Sequence, residues 1–188
     1  MIVTDYIRFN SFSRPGRKLT QLRGIVMHYT GDPGASDVSI RGYFDRLSMQ
    51  DPLDKVPDRY ASAHCVVDLD GSVIEMIPTN EMAYHCGADK YMPGIESKLG
   101  ILPNMSTLGI EMCHPDETGR FLQDTLSAAI LLTAVLCFRF GIEPRTQIFR
   151  HYDVTGKLCP KAWVETPKDF DDFKKRVELA MNLGGVSI

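Results

Sequence analysis

Residues 122–141, LQDTLSAAILLTAVLCFRFG, form the longest apolar stretch of the chain and stop at a glycine. Apolar side chains at nearly every helical position predict a helix that is buried on most sides and ends at Gly141. The run falls short of the roughly 18 consecutive apolar residues of a membrane span. A core helix is therefore expected, with no membrane insertion. At 188 residues the chain can supply the surrounding layers, because domains of about 150 residues already bury roughly 68–70% of their unfolded surface. One domain over residues 1–188, with its core from about 20 to 175, is expected.

The rest of the chain alternates strand and helix signals. RGIVMHYT (23–30) is a short β-branched run ending in a histidine, the pattern of a buried strand. A helix follows, with Val38, Ile40, Tyr43, Phe44 and Leu47 at helical spacing behind Ser36 or Asp37 as cap. Residues 51–61 form a proline-broken loop. SAHCVVDLDGSVIEMIP (62–78) predicts a β-hairpin turning at Asp70-Gly71. The irregular stretch 79–106 is long enough to suggest a substrate-lining loop. TLGIEMCHP and TQIFRH predict two more strands, and Thr166-Pro167 opens an amphipathic last helix. The alternation implies an α/β fold with a central mixed sheet flanked by helices.

The composition is that of an ordinary globular protein, 44% hydrophobic and 24% charged, with a formal net charge of −3. No basic block is present, which excludes a general nucleic-acid or membrane-surface binder. The first 18 residues lack an apolar segment followed by a small-residue cleavage site, so synthesis in the cytoplasm without a Sec signal peptide is expected. Five cysteines without regular spacing are not a disulfide framework, and Cys137 within the apolar helix is expected to be core.

Histidine and cysteine nevertheless lie close together four times, as His64-Cys65, His85-Cys86, Cys113-His114 and His151 with Cys159. Strand neighbours point to opposite faces, so an adjacent pair rarely ligates jointly. His151 and Cys159 are separated by seven residues, enough for a loop to return the thiol to the strand end that carries the histidine. With His28 they would make a three-ligand set that leaves a tetrahedral zinc one open position, where the pKa of a water falls towards 7. Spacing alone does not decide this, since a histidine at a strand end is often only a capped polar residue.

Read in order, GIVMHYT, SAHCVVDLDGSVIEMIPTNEMAYHCG, STLGIEMC and RHYDVTGKLCP resemble the zinc-dependent N-acetylmuramoyl-L-alanine amidases. That superfamily includes phage amidase lysozymes, autolysins and peptidoglycan-recognition proteins, and the resemblance to its autolysin-like branch runs from about residue 20 to 175. It implies His28, His151 and Cys159 as ligands of one Zn2+ per chain, Glu111 as catalytic base, and Lys157 as a catalytic partner that stabilises the oxyanion. Tyr84 and His85 in AYHCG match a segment lining the substrate groove. His64 divides evenly between a structural and a groove role and is counted among the substrate contacts. Asp153 caps the loop or orients His151.

The chain departs from the family at Ala63, where the phage branch carries a catalytic tyrosine, and Cys159 stands where cytoplasmic recycling amidases use an aspartate. Wall-binding modules are common in such proteins, and none is seen here. The implied function is hydrolysis of the amide between N-acetylmuramic acid and L-alanine in peptidoglycan. An enzyme of this kind acts at the bacterial cell wall after holin-type release or host lysis, as a monomer. The alternatives are a non-catalytic peptidoglycan-binding protein of the same fold, or a structural zinc closed by a fourth protein ligand.

Overall fold

Six strands form a single sheet in the computed structural model, which describes residues 2–183 apart from 52, 54 and 55. They are β1 (Ile2–Thr4), β2 (Gly24–Tyr29), β3 (Cys65–Val67), β4 (Val73–Glu75), β5 (Thr107–Met112) and β6 (Ile148–Arg150). Their order across the sheet is β1-β4-β3-β5-β2-β6. The hairpin β3–β4 is antiparallel and every other pairing is parallel, so the expected mixed sheet is present. The helices are α1 (Asp37–Arg46), α2 (Ile95–Leu99), α3 (Gln123–Phe140), α4 (Pro144–Gln147), α5 (His151–Thr155), α6 (Lys161–Glu165) and α7 (Pro167–Leu183). Part of the expected loop 51–61 lies outside the described residues.

Strand alternation divides the sheet into two unlike faces. One face presents Ile25, Met27, Leu108, Ile110 and Met112 to α3 and α7, with Trp163, Phe170 and Phe173 completing the main core. Full burial of each such aliphatic side chain contributes about 1.5–3 kcal/mol relative to exposure. The opposite face carries two smaller cores. One joins α1 to β3 and β4 through Ile40, Phe44, Val66 and Ile74. The other joins α2 and α5 to β2 and β6 through Ile95, Leu99, Val26, Phe149 and Val154.

Several local signals act as expected. Ser36 caps α1 by accepting a hydrogen bond from the Ser39 amide at 3.2 Å, and Asp37 begins the helix. Gly141 ends α3 in the left-handed region. The apolar helix differs from expectation in two ways. It is buried on one side only, since Leu131 and Phe138 are 62% and 56% exposed. Its 18 residues are long and apolar enough to cross a membrane by length and composition; what the fold does with it is to lay one side on the sheet and α7.

Five short elements, β1, α2, α4, α5 and α6, carry no sequence signal. β1 is exposed throughout and pairs with β4. α5 makes the first turn of the segment after His151 helical, where a loop is expected.

A buried ion pair fastens the N-terminal arm. The Arg14 guanidinium donates to both Glu81 carboxylate oxygens, at 2.9 and 3.2 Å, and to the Ile7 carbonyl at 2.9 Å. Its Cζ lies 4.1 Å from the centre of the Phe9 ring. Removing one partner of a buried pair strands the other charge, at a cost of about 3–5 kcal/mol. Lys18, 4.0 Å from Glu81, offsets part of that. Arg14→Met is expected to lower the unfolding free energy by about 3 kcal/mol in urea titration; a loss below about 1 kcal/mol would show that the arm is held by its apolar contacts alone.

Candidate metal and catalytic centre

Parallel sheets bind ligands beyond the carboxyl ends of their strands, and three such ends meet here. β2 lies between β5 and β6, with His28 directly opposite Glu111 in the register. His28 and Glu111 therefore project from neighbouring strands on the same face. β6 ends at Arg150, and His151 follows as the first residue of α5 on the other side of β2. Gly156 then adopts φ +79°, a left-handed turn that L side chains disfavour. This turn reverses the chain so that the Cys159 carbonyl accepts from the Tyr152 amide at 2.9 Å. The result is a buried thiol beside two buried imidazoles.

The donor atoms converge. His28 Nδ1 lies 3.1 Å from His151 Nδ1 and 3.9 Å from Cys159 Sγ. All three ligand atoms fall within 4.8 Å of one another. Metal bonds of about 2.0–2.3 Å at tetrahedral angles separate ligand atoms by roughly 3.3–3.7 Å, so the set fits one metal ion with little movement. Among the described residues this is the one His, Cys and carboxylate cluster that fits.

Burial sets the protonation states. It holds His28 well below the usual imidazole range, with His151 and His85 adding to the effect, and it lowers His151 to about 4, helped by Lys157. Both rings are thus neutral, with lone pairs available. Burial, followed by the nearby Glu111 charge, pushes the Cys159 thiol up to about 12, so it must release its proton to bind a metal. Glu111 is pushed up to about 8 by burial against the opposing pull of Lys157. Its Oε2 is buried without a hydrogen-bond partner among the described residues. An orphaned carboxylate oxygen beside three converging donors is the pattern of a site completed by something other than protein.

A cleft of about 860 Å³ opens over these groups, and His28, Glu111, His151, Lys157 and Cys159 all line it. Tyr84 forms part of its wall and packs edge-on against Tyr60 at 5.5 Å. Tyr43, Phe44 and Arg59 extend that wall, and nothing in their sequence context had marked them.

Three further residues of the sequence analysis make close contacts within the protein. His64 is 1% exposed and does not line the cleft. Its Nδ1 accepts from the Gly109 amide and its Nε2 donates to the Glu81 carbonyl, both at 2.9 Å. It ties β5 to the segment that carries Glu81. His85 lines the cleft, and its two ring nitrogens lie against His28 and Thr107. Asp153 accepts from the Arg150 amide at 2.8 Å and from its guanidinium, capping α5. Of the two roles expected for it, the cap is the one present.

Ala63 is fully buried in the α1 core and offers no chemistry where the phage branch has a tyrosine. Cys65, Cys86, Cys113 and Cys137 are buried in the three cores. His114 stacks on Tyr29 at 5.0 Å and lies outside the three-donor cluster.

Known proteins match the chain in the same terms. The family profile described as N-acetylmuramoyl-L-alanine amidase covers residues 18–162. N-acetylmuramoyl-L-alanine amidase BlyA of Bacillus subtilis (strain 168) is 36% identical over 193 residues, spanning 100% of this chain and 49% of BlyA. A probable N-acetylmuramoyl-L-alanine amidase of Bacillus licheniformis is 37% identical over 187 residues, spanning 100% of this chain and 50% of its own length. The chain thus spans about half the length of these relatives. The catalytic domain of XlyA superposes with a TM-score of 0.69 at 24% identity, covering 93% of this chain and 99% of that domain; this likeness concerns the fold. With a family profile that runs from the end of the N-terminal arm through α5 to α6, the chain belongs to the N-acetylmuramoyl-L-alanine amidase family.

Proposed function

We propose that this chain hydrolyses the amide between N-acetylmuramic acid and L-alanine in peptidoglycan, using one zinc ion held by His28, His151 and Cys159, and acts at the bacterial cell wall. The observation that carries the reading is the convergence of these three buried donors beside the unpartnered Glu111 oxygen, in a member of the amidase family. Two nitrogens and a sulfur suit zinc, and three protein ligands leave one position open. When bound, zinc supplies Lewis acidity to the scissile carbonyl and makes water more acidic.

The protein's own groups divide the remaining work. Glu111 Oε2 takes a proton from the attacking water as its oxygen bonds to the carbonyl carbon. Glu111 shares the cleft with Lys157, which favours its carboxylate form, and a metal held by the three donors would favour it further. When the C–N bond breaks, the same carboxyl returns the proton to the departing L-alanine nitrogen. Lys157, exposed at the rim after Gly156, donates a hydrogen bond to the oxygen that gains charge as the tetrahedral centre forms. Tyr84 and its aromatic neighbours form a wall against which a sugar or peptide stem can lie. Ala63 adds no group to this set, so the base role falls to Glu111.

Cell-wall digestion tests the reading. Chelator-treated protein is expected to stop releasing L-alanine amino termini and to recover on addition of zinc. Reducing sugar ends in their place would identify a glycosidase, and no hydrolysis by zinc-loaded protein would assign a binding module. Cys159→Ser is expected to lose both zinc and activity. Glu111→Gln should retain one zinc per chain while kcat falls about 100-fold or more; near-normal turnover would remove Glu111 from the mechanism.

A further inference from the structure

His85 lies 57 residues from His28 in sequence, yet its Nδ1 is 3.1 Å from His28 Nε2. The direction of each proton in this contact follows from the next bond outwards. His85 Nε2 lies 3.3 Å from the Thr107 carbonyl oxygen, which can only accept. It also lies 3.1 Å from Thr107 Oγ1, whose own proton is given to the Pro103 carbonyl at 2.7 Å. His85 Nε2 therefore carries a hydrogen. In a neutral imidazole the other nitrogen is then a bare acceptor, so the hydrogen between the two rings belongs to His28 Nε2. His28 Nδ1 is left with its lone pair, on the side of His151 Nδ1 and Cys159 Sγ.

The surroundings hold His85 in this pose. A side chain on Gly109 would place Cβ 2.5 Å from His85 Cγ and 2.8 Å from its Nδ1, so only glycine leaves room for the ring over β5. Asn104 Oδ1 accepts from the His85 and Cys86 amides, at 3.2 and 2.9 Å, and fixes the backbone beneath it. The ring is 8% exposed.

We infer that His85 is a positioning residue for the metal centre: it fixes His28 in the tautomer and orientation that present Nδ1 to the metal, and Thr107 and Gly109 serve His85 in turn. Partners of this kind orient ligating histidines and raise their basicity. The inference rests on the zinc site proposed above and replaces a substrate-binding role for His85.

Two measurements test it. Long-range ¹H–¹⁵N spectra of the zinc-loaded protein are expected to show His85 as the Nε2–H tautomer; an Nδ1–H tautomer could not accept from His28 and would overturn the inference. In competition against a chelating dye, His85→Ala is expected to bind zinc about 10–100-fold more weakly. His85→Asn, whose side-chain oxygen can replace Nδ1 as acceptor, is expected to recover part of that loss. Gly109→Ala should weaken zinc binding although it alters no ligand. Unchanged zinc affinity in folded His85→Ala, with only KM raised, would mark a substrate contact and overturn the inference. If His85→Ala does not fold, the tautomer of the unaltered protein decides. A wild-type protein that binds no zinc would instead refute the proposed function, while the tautomer remains measurable in the zinc-free chain.

Discussion

The pairing of β2 between β5 and β6 is the constraint on which the site depends. Parallel alignment brings three carboxyl ends to one rim, and the register sets His28 opposite Glu111. His151 needs only to follow β6 by one residue to arrive on the other flank. No long loop has to find its way to the candidate donors. The main-chain ladder delivers two of them, and a single helical turn with a glycine reversal delivers the third. Rigid strands hold chemical groups more tightly than loops can.

Behind the rim, a second tier keeps these groups in place. His64 ties the Gly109 amide to the Glu81 carbonyl, and the Glu81 side chain holds Arg14 and with it the N-terminal arm. The arm, an apparently peripheral segment, is thus linked through buried polar contacts to the strand that carries Glu111. Such contacts stabilise when every member is satisfied and cost heavily when one is removed. Three neutral imidazoles and a thiol at the floor of the cleft form a buried cluster without fixed charge, which limits the desolvation needed to bury it.

Much of this was legible in the sequence. The donors His28, His151 and Cys159 stood out because ordered motifs surrounded them, and the hairpin, the capped α1 and the α3 glycine stop each had a local signal. Illegible features lacked one. β1 is three exposed residues with no apolar alternation, held only by its neighbour β4. α5 is too short for a helical period, and its cap depends on an arginine–aspartate pair within one turn. Apolarity around α3 suggested burial on every side, yet a helix lying on a sheet needs only one covered side, and Leu131 and Phe138 are left exposed. For His85 a motif pointed to the groove it lines, but its ring partners, 57 and 22 positions away, had no local signal. The clue was a glycine in the middle of the β-rich run TLGIEM, a common mark of close approach by another group.

β5 assigns its two sets of side chains to unrelated tasks. Leu108, Ile110 and Met112 belong to the main core, while Thr107, Gly109 and Glu111 anchor His85, make room for it and line the cleft. A slip of one residue would exchange these sets entirely. Three aliphatic side chains would fill the cleft, and a carboxylate would enter the oil of the core. The strand therefore has a parity that both stability and chemistry enforce, and a misthreaded chain cannot retain one while losing the other. Convergence of the three candidate donors beside Glu111 is in effect a readout of strand registration, available only to molecules that have threaded β5 correctly.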